Sequence, residues 1–235
     1  MKKKLENIWY FIVDSEIYDV IRHINILYSR IKKIFFKKKS VLEIKKYWET
    51  PNDGDNNPLT YLGTGGYTNS SRDNLRTENL IRNIKSFKIE NPSILEIGCN
   101  VGRNLNALKT AGFKNLHAIE ISQNAIDLMK KNFPDTYETT KISIGPAQDI
   151  LKNFENERFD IVFSMAVLQH IPNEDIETVT NEISRVSGNY LISYETETYC
   201  SWRHFPRSYK ILYKKKKFDY LYRKCGARIF RKITV

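Results

Sequence analysis

From residue 73 onward, short apolar runs of strand length alternate with longer stretches whose apolar residues recur every three or four positions. Residues 93–97, 116–121, 141–144, 159–164 and 190–193 read as five buried strands. Between them the spacing predicts helices carrying Leu80, Ile81, Ile84 and Phe87; Leu105 and Leu108; Ala125, Ile126 and Met129; and Ile176, Val179, Ile183 and Val186. Gly112 ends the second of these, while Ser122 and Asn173 are placed to cap the third and fourth. Such alternation builds βαβ units, so the chain is expected to be α/β, with a doubly wound, mostly parallel sheet covered by helices on both faces. After Pro206 come a short helix and two β-rich stretches, 218–224 and 227–235, meeting at Cys225-Gly226. They predict a closing antiparallel hairpin at one edge.

What precedes this block differs in kind. Residues 1–50 form a basic extension, with Ile17, Val20, Ile21, Ile24, Leu27, Tyr28, Ile31, Ile34 and Phe35 spaced as the stripe of an amphipathic helix. Such a stripe either packs on the domain or a second subunit, which is the favoured expectation, or lies on an anionic membrane surface as a peripheral contact through residues 1–40. Residues 51–72 are turn-rich and read as a linker or lid, with Trp48, Tyr61 and Tyr67 as covering aromatics and Gly65-Gly66 as hinge. Residues 73–235 then form the main domain.

The net charge of +11 is unevenly divided: +6 over residues 1–50, −6 over 51–200 and +11 over 201–235. Basic flanks on an acidic centre attract phosphates of nucleic acid, membrane or substrate, or else are lysines on solvated faces. Neither flank carries a known nucleic-acid module, so nucleic acid is not the favoured partner. Cys99, Cys200 and Cys225 make neither a disulfide scaffold nor a metal pattern, and no metal is expected. Glu6 and Asp14 interrupt any signal-peptide core after the opening lysines. A cytoplasmic enzyme-sized domain is the expectation.

In doubly wound sheets the ligand sits at the carboxyl ends of the strands near the switch point. Strand one leaves there as Glu96-Ile97-Gly98-Cys99-Asn100-Val101-Gly102-Arg103-Asn104. A dinucleotide fingerprint would need glycines where this chain has Gly98, Asn100 and Arg103, and the arginine blocks close helix packing. No phosphate-binding Walker loop or G-x-S-x-G elbow occurs.

The pattern that does fit is acid-x-Gly-x-small-x-Gly, and here the chain resembles the class I S-adenosylmethionine-dependent methyltransferases. The resemblance covers about residues 75–193 in four ordered elements. Glu120 stands at the end of strand two, where a carboxylate accepts both hydroxyls of a ribose. Gly145-Pro146-Ala147-Gln148-Asp149 follows strand three, with Pro146 replacing an acidic residue frequent in the family. The stretch from Phe159 to Pro172 is similar to the family's fourth strand and exit. Asn100 replaces a common glycine and tolerates positive φ better than most residues.

The resemblance implies the cofactor S-adenosyl-L-methionine, held by Glu96, Gly98, Asn100 and Gly102 on the first loop and by Glu120 and Ile121 after strand two. Ala147 and Gln148 after strand three and Ser164 at the end of strand four complete that site, with Asp149 as the alternative to Gln148. His170 is the candidate general base, and Arg203, His204 and Arg207 are candidate acceptor-binding residues. Ser164-Met165-Ala166-Val167 lacks the signature for methylating amino groups of adenine or glutamine. The expected acceptor is a small molecule or a surface glycan, methylated at oxygen. An RNA methyltransferase gripping phosphates with its flanks, and a non-catalytic cofactor-binding protein docked on a partner or membrane, are the alternatives.

Overall fold

The computed structural model of the protein describes residues 16–51, 57–62, 71–224 and 226–233. Its sheet has seven strands in the order β3-β2-β1-β4-β5-β7-β6. They are β1 (Ile94–Ile97), β2 (Leu116–Glu120), β3 (Lys141–Ile144), β4 (Phe159–Met165), β5 (Ser187–Tyr194), β6 (Phe218–Lys224) and β7 (Ala227–Lys232). The pairs from β3 to β5 are parallel, and β7 runs antiparallel to both β5 and β6. The doubly wound sheet with a closing edge hairpin is therefore present, its order reversing between β1 and β4. Cys225 lies outside the described residues, and Gly226 takes the turn at φ +86°.

All four residues of β1 are buried, as a strand covered on both faces requires. Alternate side chains then feed two cores. Ile94, Ala118, Ile161 and Phe163 pack on one face with Leu80, Leu105, Leu108 and Met129. Leu95, Ile97, Ile119 and Val162 pack on the other with Val179, Ile183, Tyr209 and Tyr213.

Ahead of the sheet stand α1 (Glu16–Lys33), α2 (Val41–Glu49) and α3 (Ser71–Ser86). Helices α4 (Arg103–Thr110), α5 (Gln123–Asn132), α6 (Pro134–Thr139), α7 (Ala147–Ile150), α8 (Asn173–Val186) and α9 (Tyr209–Lys214) follow in chain order. Pro134 opens α6, a helix that the apolar spacing did not announce. Strand β5 begins at Ser187, where α8 ends, so no loop separates the two and the strand starts earlier than its apolar run.

Helix α1 packs on the domain, but not by its apolar stripe, and this corrects the amphipathic reading. The buried side of α1 is Arg22, Ile26 and Ser29, with Lys33 half-buried beside them. Arg22 donates to Glu197 at 3.0 Å, and Arg228 from β7 donates twice to the same carboxylate at 2.9 and 2.6 Å. Lys33 donates to the carbonyls of Ser201 and His204, both at 2.7 Å, and Arg30 to that of Pro206 at 3.1 Å. Val20, Ile24, Leu27, Tyr28 and Ile31 face outward.

Helix α2 starts with a capping box, Ser40 and Glu43 each bonding the other's backbone amide. It brings Ile44 and Trp48 over the carboxyl ends of the strands. Tyr61's side chain, Gly65, Gly66 and Tyr67 lie outside the described residues, so of the lid reading only Trp48 can be located.

Candidate active site

A cavity of about 480 Å³ opens at the carboxyl ends of β1, β2, β3 and β4, within the range of small-molecule sites. Its floor is the loop leaving β1, which takes left-handed backbone at Gly98 (φ +70°), Asn100 (+50°) and Gly102 (+74°). A Cβ at position 98 would stand 2.5 Å from Val167 Cγ2, so glycine is what lets the exits of β1 and β4 close on each other. Asparagine is among the few side chains at ease in that conformation, which accounts for the departure at position 100.

Glu120 holds this loop. Its Oε2 accepts from the Asn100 amide at 2.7 Å and its Oε1 from the Ser122 amide at 2.9 Å. Burial raises its pKa, opposed by these amides and by that of Ile121. Gly98 and Cys99 donate to the Ile119 carbonyl, so the loop is tied to β2 by backbone as well.

Glu96, in the middle of the sheet and 1% exposed, accepts from Asn104 Nδ2 at 2.8 Å. Thr77 on α3 donates to Asn104 Oδ1 at 2.9 Å and so fixes which end of the amide faces the acid. Burial lifts the Glu96 pKa to about 8, despite the Asn104 hydrogen bond. Glu96 Oε2 and Asn100 Oδ1 are both buried without a hydrogen-bond partner, and both residues line the cavity. Asn100 Oδ1 is an orphaned acceptor and Glu96 Oε2 becomes one when its carboxyl loses the proton, so the pinned loop suits a cationic ligand rich in donors.

Ile121, Ala147 and Gln148 also line the cavity. Asp149 does not; its carboxylate is 60% exposed and pairs with Lys152 at 3.9 Å. Ser164 does not either, which corrects its expected role. It is 3% exposed and hydrogen-bonds to Glu195, whose carboxylate also accepts from the Val167 and Gln169 amides at 3.3 and 3.1 Å. Ser164 thus belongs to the brace that shapes the β4 exit, and Met165, Ala166 and Val167 supply the lining instead. Nothing in the local sequence marks Glu195 as that brace, because its partners lie 26 to 31 positions away.

The acceptor-side candidates separate in the same way. Arg207 is buried and absent from the cavity. Its guanidinium donates to the carbonyls of Phe205 (3.1 Å) and Ile171 (2.7 Å) and to Asn173 Oδ1 (3.1 Å), so it staples the chain and its expected acceptor contact is withdrawn. Arg203 and His204 do line the cavity, with Arg203 donating to the Tyr47 hydroxyl at 2.7 Å.

His170 lines it too, in a state ill suited to a base. Gln169 Oε1 accepts from the Thr196 amide at 2.7 Å, which aims the Gln169 amide nitrogen at His170 Nε2, 3.2 Å away. His170 Nδ1 therefore carries the hydrogen and donates to the Arg203 carbonyl at 3.0 Å. Burial, then the neighbouring His204, lowers the His170 pKa to about 3. Burial and Arg203 lower that of His204 to about 4. The two neutral rings meet at 4.4 Å, and Trp48 covers His170 at the same centroid distance. The resemblance had pointed to His170 on this side of the sheet without revealing that both of its nitrogens are engaged.

Further lining comes from residues outside the sequence motifs: Ile44 and Lys45 on α2, Arg76 on α3 and Asp175 on α8. Asp175 Oδ2 is buried with no hydrogen bond and stands 3.6 Å from Lys45 Nζ.

Residues 95–189 match the family described as a methyltransferase domain. The ribosomal protein L11 methyltransferase of Staphylococcus aureus (strain JH1) is 27% identical over 158 residues, covering 67% of this chain and 49% of that protein. The chain thus spans about half the length of the curated relatives it matches. Among solved structures, magnesium protoporphyrin IX methyltransferase from Synechocystis PCC 6803 with bound SAH aligns at TM-score 0.59. It is 12% identical, covering 83% of this chain and 100% of the other. A SAM-dependent methyltransferase from Archaeoglobus fulgidus aligns at 0.53, with 18% identity over 68% of this chain and 74% of the other.

Proposed function

We infer that this chain, a class I S-adenosylmethionine-dependent methyltransferase matched to its family over residues 95–189, methylates an oxygen of a small-molecule or surface-glycan acceptor. The observation that carries the cofactor site is the pairing of Glu120 with the left-handed loop at 98–102, next to the two unpaired oxygens of Glu96 and Asn100. The cofactor's ribose hydroxyls and ammonium group are donors, and they match an acceptor-rich floor. When bound, S-adenosylmethionine supplies a methyl group on a sulfonium sulfur, open to in-line displacement.

In this reading Glu120 holds the ribose while keeping the loop amide of Asn100, since each carboxylate oxygen has a second lone pair. Gly98, Asn100 and Gly102 let the backbone come close. Ile121, Ala147 and Gln148 flank the base, and Met165 to Val167 close the reacting centre against water. Trp48, His170 and His204 form a rigid, uncharged wall on the acceptor side, and Arg203 offers a cation beside it. His170 positions this wall and takes no proton. The Asp175 carboxylate, partly exposed and 3.6 Å from Lys45 Nζ, with its Oδ2 in no hydrogen bond, receives the proton of an acceptor hydroxyl. Asp175→Asn is expected to lower kcat about 100-fold or more while leaving cofactor affinity near that of the parent. An unchanged kcat would remove Asp175 from the reaction.

The basic flanks do not favour the RNA alternative, because many of their cations are used internally. Arg228 is bound to Glu197, Lys216 to Glu177, and Lys232 to Glu157. By its name the Staphylococcus relative acts on a ribosomal protein, but the half of its length without a counterpart here leaves its acceptor out of the inference. The cofactor site is tested by calorimetric titration with S-adenosylmethionine. Glu120→Ala is expected to weaken binding by about 1–3 kcal/mol, the loss for hydrogen bonds to a charged group. Equal affinity in parent and variant would refute the ribose assignment.

A further inference from the structure

Helix α1 is amphipathic in the inverted sense: it is fixed to the domain by its polar side and shows its apolar side to solvent. Opposite Arg22, Ser29 and Lys33 stand Val20, Ile24, Leu27, Tyr28 and Ile31, with Ile24 65% exposed. The band continues past the helix end through Ile34 and Phe35, 79% and 85% exposed. So many large apolar side chains exposed together are uncommon on a monomer surface and mark a contact surface.

The charge beside this band selects the occupant. Residues 20–39 contain seven Lys and Arg and no Asp or Glu. Arg22, Arg30 and Lys33 turn toward the domain. Lys32, Lys37 and Lys38 stay exposed next to the apolar residues. A second copy docked on the same face with its helix parallel would set these cations against their own images, which opposes that contact. An anionic bilayer offers acyl chains to the apolar band and phosphates to the lysines. Among the described residues no helix is long and apolar enough to cross a membrane, so the contact is one that lies on the surface.

We propose that the outward face of α1, from Val20 to Phe35 with Lys32, Lys37 and Lys38 at its border, docks this chain onto an anionic membrane surface. The polar side of the same helix grips the Ser201 and His204 carbonyls, and His204 lines the cavity, so docking seats one wall of the active site near the lipid. The proposal stands independently of which acceptor is methylated.

The test is co-sedimentation of the full chain with phosphatidylcholine vesicles, with and without phosphatidylglycerol. Phosphatidylglycerol is expected to strengthen binding about tenfold or more, in a manner lost at high salt. Ile24→Glu with Ile31→Glu, and separately Lys37→Glu with Lys38→Glu, should each reduce binding at least about tenfold. Both pairs are exposed, and an unchanged titration with S-adenosylmethionine verifies that the variants are folded and that the cofactor site is a separate question. Absence of vesicle binding, equal binding to both vesicle types, or binding indifferent to the isoleucine pair would overturn the proposal. So would a dimer in sedimentation velocity that the isoleucine pair dissociates, since that would assign the face to a second copy.

Discussion

Glu197 is the residue whose loss the fold should feel most. It lies just past β5 and is 6% exposed, and its carboxylate receives four hydrogen bonds: one from Arg22, two from Arg228 and one from the Tyr209 amide. Arg22 and Arg228 are each 3% exposed. Replacing Glu197 by Ala removes the charge that both guanidiniums share and the acceptor of an amide at the start of α9. Breaking a buried ion pair from one side costs about 3–5 kcal/mol. For a chain of this size that is a fall in Tm of the order of 10 °C. Arg22→Met should cost less, because Arg228 keeps its two-point contact and only the α1 anchor is lost. The assay is equilibrium unfolding in urea, followed by a cycle with Arg22→Met and the double variant. A Glu197→Ala protein within about 1 kcal/mol of the parent would mean that the hub is solvated and that desolvation has been overrated here.

Two further outcomes concern protons. Glu96 has its pKa raised from 4.5 to about 8, so the folded chain retains a proton that the unfolded chain loses between those values. This contribution to stability is complete below pH 4.5 and vanishes as pH rises through 8. On the proposed function, a cofactor cation bound beside Glu96 would expel that proton, and titration at pH 7 in buffers of different ionisation enthalpy should show release of up to about one proton, abolished in Glu96→Gln. Equal apparent enthalpies across buffers would contradict it. His170 has its pKa lowered from 6.5 to about 3, and His204 and His117 to about 4, so their contributions are present above pH 6.5 and lost as pH falls through the folded values. For the buried His170 the slope is at most about 1.4 kcal/mol per pH unit, and His170→Asn should flatten the unfolding profile between pH 6 and 4 by that order. An unchanged slope would show that the ring is not held neutral by burial.

The strand-helix alternation carried the sheet because a fully buried parallel strand and an amphipathic helix leave different apolar periods. The tight loop at 98–102 was legible for a related reason: left-handed backbone restricts residue type locally, whereas the bond that Glu120 makes to its Asn100 amide has no local signature. Ser164 and Arg207 misled because residue type states what a side chain can bond, not what the fold brings to it. Ser164 met Glu195 and Arg207 met two carbonyls, each across a sequence gap that no local pattern records. His170 was legible as a neighbour of the cavity, but its tautomer depends on Gln169 and Thr196 acting together. The apolar stripe of α1 was read correctly as a stripe and wrongly as an inward face. Periodicity fixes which residues share a side, and three cations reaching Glu197 and the 201–206 carbonyls decided which side turned in.

The grip of α1 on residues 201–206 uses main-chain oxygens throughout, those of Ser201, His204 and Pro206. Carbonyls persist whatever side chain hangs beside them. Arg203 and His204, which line the cavity, can therefore be exchanged for other residues while the helix stays moored to the same backbone.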